Sequence, residues 1–150
     1  MVDETLRESS KKLSGNALLY DEFIMREFER GNIDGTLFSP DHLKIKLHGH
    51  CHQKSLASVE LSAKMLSIPA NYKVETLSTG CCGMAGSFGY EKEHYHFSMQ
   101  IGEQTLFPLV RDTWESTVIS APGTSCRQQI LDGTGRKAKH PIQILNEALR

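Results

Sequence analysis

Several features are missing from this chain of 150 residues. No apolar run approaches the roughly 18 residues that a membrane-spanning helix needs. The first stretch, Met1 to Lys12, is polar and charged, unlike a secretory leader. Neither sign of charge dominates: 17 Lys and Arg face 18 Asp and Glu, a net charge of −1. That balance removes the reason to expect nucleic acid or an anionic membrane as a partner. The glycine-rich stretch Gly80 to Gly89 contains no G-x-G-x-x-G, so a dinucleotide fingerprint is excluded. The short C-x-x-C spacing of ferredoxins is absent too. Low-complexity segments, long linkers and internal repeats are also lacking. What remains has the size of one ordinary domain that can bury a core without staples. It is expected to be cytoplasmic, where thiols stay reduced, and to reach the inner face of the membrane only through partners.

Cysteine is scarce, and its placement is informative. The four are Cys51, Cys81, Cys82 and Cys126, with 29 residues between the first two and 43 between the last two. Adjacent Cys81 and Cys82 cannot easily bond each other. The glycines around them let backbone approach a bound group closely. In a reducing compartment such cysteines are ligands or redox groups rather than disulfides. Four sulfurs are the usual count for a tetrahedral metal or an iron–sulfur cluster. The plain alternative is four buried structural thiols.

Hydrophobic spacing places these cysteines. A weak helix is expected over residues 3–13. A stronger one follows to about Arg30, capped by Asn16 and carrying Tyr20, Phe23, Ile24 and Phe28 on one face. Strands are expected at 44–48, 72–77 and 117–120. Helices are expected from about Gln53 to Ser67 (with Leu56, Val59, Ala63 and Leu66 inward), from Glu91 to Phe107 with a stop at Pro108, and from Thr124 or Ser125 to Leu131. His140-Pro141 opens a last helix. The alternation implies an α/β fold: a parallel sheet with flanking helices and right-handed crossovers. Cys51, the Cys81/Cys82 pair and Cys126 each follow a strand and precede a helix. The cysteine loops should therefore lie together at the carboxyl edge of the sheet, where open α/β folds bind ligands.

Other residues near these loops carry weaker signals. His48, His50 and His52 alternate, so an extended segment would set them on one face with Cys51 on the other. His50 or His52 would complete a metal site if one thiol were absent; otherwise they hydrogen-bond locally. His94 and His96 fall at a helix start, as cover or as solvated surface. Lys54 and Arg127 would stabilise a negative cluster or simply charge a helix start. Phe88, Tyr90 and Met84 suit a hydrophobic cover over the glycine loop.

The motifs Leu47-His48-Gly49-His50-Cys51-His52-Gln53-Lys54, Thr79-Gly80-Cys81-Cys82-Gly83-Met84-Ala85-Gly86-Ser87-Phe88-Gly89, Pro122-Gly123-Thr124-Ser125-Cys126-Arg127 and His140-Pro141 carry a resemblance. Together they resemble the cysteine-rich CCG domain of iron–sulfur oxidoreductases. That domain occurs in heterodisulfide reductase, in iron–sulfur subunits of glycolate oxidase and anaerobic glycerol-3-phosphate dehydrogenase, and in lactate-utilisation proteins. The chain looks most like the C-terminal region of FAD-linked glycolate or D-lactate oxidases. The likeness covers about residues 40 to 145, with residues 14–32 as a lead-in helix. It implies that 1–150 is a single CCG domain, a C-terminal fragment or small subunit of a larger enzyme. One departure stands out: Gly123 takes the place of the first cysteine in the family's Cys-x-x-Cys.

The resemblance implies an iron–sulfur electron-transfer domain of an FAD-linked 2-hydroxy-acid oxidoreductase, inactive alone. Its cofactor would be a [4Fe–4S] cluster on Cys51, Cys81, Cys82 and Cys126, or zinc, with FAD only on a missing flavin domain. Its partners would be that flavin domain and an acceptor such as quinone. The alternatives are a zinc-binding docking domain, a heterodisulfide-reductase-like thiol–disulfide module (disfavoured by Gly123), and a thiol sensor.

Overall fold

The computed structural model describes residues 4–150, apart from the side chain of Leu56. Asp3, the expected start of the first helix, therefore lies outside the described residues, as does the inward placement of Leu56. The chain divides into two compact units, one ending at Asp34 and one running from Gly35 to Arg150.

The first unit holds α1 (Glu4–Ser14) and α2 (Tyr20–Glu29). Asn16 does not cap α2. Its side-chain amide donates to Lys12 O at 2.9 Å and so closes the end of α1. Leu19 stands at the cap position of α2, and its N–H is accepted by the Glu22 carboxylate at 2.7 Å. That bond satisfies the backbone donor at the start of the helix. Of the anticipated aromatic stripe, Phe23 is 48% exposed.

The second unit is a four-stranded parallel sheet with flanking helices. Its elements in order are β1 (Leu43–Leu47), α3 (Cys51–Leu56), α4 (Val59–Leu66), β2 (Tyr72–Thr76), α5 (Tyr95–Arg111), β3 (Val118–Ser120), α6 (Thr124–Thr134), β4 (Ala138–Lys139) and α7 (Pro141–Glu147). The strand order is β2-β1-β3-β4, every pair parallel. Ile45 and Leu47 of β1 and Ile119 of β3 are almost wholly buried, as are Leu106, Phe107 and Val110 of α5 and Ile130 of α6. This apolar layer between sheet and helices is where burial stabilises the fold.

Three expectations need correction. The helix expected from Gln53 to Ser67 is two helices. Ala57 is fully extended, and the Ser58 hydroxyl accepts from Glu60 N–H at 3.1 Å, starting α4 afresh. The helix expected to stop at Pro108 runs on to Arg111. An interior proline costs about 3 kcal/mol, but fully buried Leu106, Phe107 and Val110 lie on both sides of it and hold the turn in place. Finally, β4 has no counterpart among the expected strands; two residues are too few to show a period. The last helix begins as expected, with Pro141 in its first turn and the His140 ring accepting from Ile142 N–H at 3.2 Å.

Candidate metal or redox site at the carboxyl edge of the sheet

Each cysteine follows the carboxyl end of a strand. Cys51 opens α3 after β1, Cys81 and Cys82 lie in the loop after β2, and Cys126 stands in the first turn of α6 after β3. β1 sits between β2 and β3, so all three loops meet at the place where the chain reverses its direction across the sheet. A cavity of about 500 Å³ opens there. Its walls include His50, Cys51, His52, Cys81, Cys82 and Met84. Cys126 is fully buried behind Cys82 in the core, whereas Cys51 is exposed.

The sulfurs interact in sequence. Cys126 donates a hydrogen bond to Cys82, which pulls the Cys82 thiol down to about 6, helped by the backbone amides of Met84 and Cys82 and opposed by burial. The same bond, with burial, pushes Cys126 up. Burial, followed by the neighbouring Cys81 and Cys82 thiols, raises Cys51, and Lys54 partly opposes this. The Gly83 N–H donates to Cys81 Sγ at 3.3 Å. Backbone N–H groups aimed at sulfur are what a thiolate site requires.

The glycine loop owes its shape to close approach. Gly83 has φ +100°, and a Cβ there would stand 2.1 Å from Ser98 O of α5. Gln129, one turn after Cys126 on α6, donates to the Ser98 hydroxyl at 2.8 Å. Residues remote in sequence therefore clamp the loop of Cys82 to the helix of Cys126. Neither Ser98 nor Gln129 stands out in the sequence; polar residues inside amphipathic helices give no signal of their own.

The flanking cations prove to be loop ties. Lys54 Nζ donates to Thr79 O at 2.7 Å. Arg127 donates to Ala121 O at 3.0 Å and Pro122 O at 2.7 Å. The histidines also depart from the extended arrangement, because the chain turns into α3 at Cys51. His48 is buried, and its Nδ1 lies 2.6 Å from Thr79 Oγ1. Burial first, then Lys54 and His50, lower it to about 4, so it is neutral. His50 and His52 line the cavity alongside Cys51 rather than opposite it. Burial, then His52, lowers His50 as well. His94 stacks on Phe88 with ring centres 4.1 Å apart and pairs with Glu91, while His96 is exposed. Met84 is buried under the loop, but Tyr90 is 60% exposed.

Among the described residues, no three His, Cys, Asp or Glu side chains are gathered around one point as a metal ion requires. The fit to a metal group rests instead on donor chemistry. The four cysteine sulfurs, with amide donors directed at Cys81 and Cys82 and an adjoining cavity, are soft donors of the kind that suit zinc or iron–sulfur.

These features define a cysteine-lined α/β domain, and comparison with known proteins relates it to dehydrogenases. The chain is 29% identical over 147 residues to one of the subunits of the anaerobic glycerol-3-phosphate dehydrogenase of Escherichia coli (strain K12), an alignment covering 97% of this chain and 36% of that one. It is 33% identical over 104 residues to D-2-hydroxyglutarate dehydrogenase of the same organism, covering 68% of this chain and 10% of that one. The D-2-hydroxyglutarate dehydrogenase of Pseudomonas putida is 32% identical over 103 residues, covering 67% of this chain and again 10% of its own length. The chain thus spans about a third or less of these relatives, which are dehydrogenases of glycerol 3-phosphate and of a 2-hydroxy acid, not of glycolate or D-lactate. No protein-family model matches the chain, and no solved structure matches it significantly. Among the described residues no helix is long and apolar enough to cross a membrane.

Proposed function

We infer that this chain is the electron-transfer domain of a larger flavin-linked dehydrogenase, with an iron–sulfur group held by Cys51, Cys81, Cys82 and Cys126. The observation that carries this reading is the placement of the four cysteines on three strand-to-helix loops at one sheet edge, with Cys51, Cys81 and Cys82 lining one cavity and backbone N–H groups directed at Cys81 and Cys82. The relatives' names support the dehydrogenase part. A cluster bound there would accept and release single electrons between a flavin domain and an acceptor such as quinone. The chain's own part is to supply thiolates, to stabilise their charge with amides, and to exclude water behind Met84 and Cys126. The substrate is a 2-hydroxy acid, the class that contains glycolate, D-lactate and D-2-hydroxyglutarate, bound by residues beyond this chain.

The test is the iron, acid-labile sulfide and zinc content of protein purified without air. The reading expects iron and sulfide in equal amounts, about four of each per chain, with broad visible absorbance. Changing any of the four cysteines to serine should bleach that absorbance. One zinc without sulfide would replace the reading with a docking domain, and no metal after anaerobic reconstitution would overturn it.

A further inference from the structure

Two strands end the sheet, and they are unlike. β4 has two residues, too few to template another strand, whereas β2 has five. The bonds to β1 tell which groups of β2 remain. Leu43 N–H donates to Asn71 O at 3.4 Å and Leu77 N–H to Leu47 O at 2.8 Å, in a register that pairs Ile45 with Val74. The odd-numbered residues of β2 therefore turn their backbone toward β1, and Tyr72, Val74 and Thr76 turn theirs outward. The Tyr72 N–H is taken by Pro69 O at 3.0 Å. Among the described residues, no backbone group pairs with Val74 or Thr76 on the outer side. The side chains alternate too: Lys73 and Glu75 are exposed on one face, while Tyr72 and Val74 are half-buried on the other.

We propose that this edge pairs with the same edge of a second copy of the chain, the two β2 strands running antiparallel about a two-fold axis at Val74. Charge complementarity names the partner. In that register the outward groups of Val74 and the partner's Val74 exchange both hydrogen bonds. Lys73 then faces the partner's Glu75, and Glu75 faces the partner's Lys73. These are the non-hydrogen-bonded positions, where side chains across an antiparallel pair come closest. Because only even-numbered residues turn outward, the nearest alternative registers are shifted by two. One would oppose Lys73 to the partner's Lys73, the other Glu75 to the partner's Glu75, so like charges disfavour both slips. Five residues a side bury less than the roughly 1,200 Å² of a stable interface, so the dimer forms and separates with concentration. The two-fold axis sends the cysteine loops to opposite ends of the joined sheet, which leaves each site open to its own redox partner.

The test follows the full chain by analytical ultracentrifugation over a series of rising concentrations, with amide hydrogen exchange at both ends of the series. Wild type should move from monomer to dimer, and exchange at Val74 and Thr76 should slow as it does. Lys73→Glu sets two like-charge pairs against each other and should weaken association by roughly tenfold. The double variant Lys73→Glu/Glu75→Lys restores unlike pairs and should recover most of it, less what Glu75 gives up to Lys46 of its own chain, 2.5 Å away. Val74→Pro removes an N–H that β1 does not use and should abolish the dimer. Circular dichroism checks that each variant is folded, and should Val74→Pro fail to fold, the charge variants decide the matter. A wild type that stays monomeric throughout overturns the proposal. So does a dimer that Lys73→Glu leaves intact, or one that Trp114→Ala dissolves instead; Trp114 is 83% exposed and belongs to another surface. A double variant no tighter than Lys73→Glu overturns the register.

Discussion

At Gly83 a single hydrogen atom where other residues carry a carbon lets the cysteine loop reach α5. A Cβ would stand 2.1 Å from the Ser98 carbonyl, on a backbone with φ +100°, so both space and conformation oppose any substitution. Gly83→Ala should destabilise the protein by at least about 3 kcal/mol, read as a fall in the urea midpoint, and should abolish metal uptake even where folded material is recovered. Gln129 acts more gently. Gln129→Leu removes the donor to the buried Ser98 hydroxyl and should cost about 1–3 kcal/mol, measured the same way. The sequence already points to the four cysteines and to the glycines around them, because cysteine is rare here, its spacing follows the strands, and the glycines cluster beside it. The clamp of Ser98 and Gln129 is not legible there, since it joins residues from two helices through a contact that no periodicity encodes.

Among the elements, the pairing of α5 with α6 depends on one ring and two bare backbones. Phe107 lies against Gly102 of its own helix and Gly133 of α6, where added Cβ atoms would approach its ring to 2.3 Å and 2.4 Å. Gly133→Ala should therefore destabilise by about 1–3 kcal/mol through overpacking, despite alanine's better helix propensity, and Phe107→Leu on the same background should recover part of the loss. At the α3–α4 break, Ser58→Ala should cost about 1 kcal/mol in equilibrium unfolding. Strands β1 and β2 are legible to within a residue, because alternation and flanking turns mark them. The helix break at Ser58 is masked by a hydrophobic stripe that continues across it. The passage of α5 through Pro108 escapes a sequence reading because local propensity gives way to burial on both flanks.

Among the described residues, all four strands, the apolar layer packed on them and every cysteine fall between Gly35 and Arg150. A fragment of those residues should unfold cooperatively in a thermal melt and should take up iron as the full chain does. The sheet architecture and the gathering of cysteines at its carboxyl edge follow from the order of elements alone. Strand order does not, since hydrogen-bond partners are chosen by long-range packing rather than by local pattern.

The strand order β2-β1-β3-β4 also sets a timetable. As the chain leaves the ribosome, β1 meets β2 early, but its other neighbour emerges only after α5 has been made. Throughout that interval one edge of β1 stays open to wrong pairing. Cys51, Cys81 and Cys82 are already out, while Cys126 waits beyond β3. The last cysteine follows β3, the strand that covers the open edge of β1, so a nascent chain stalled before β3 would present three thiols without the fourth.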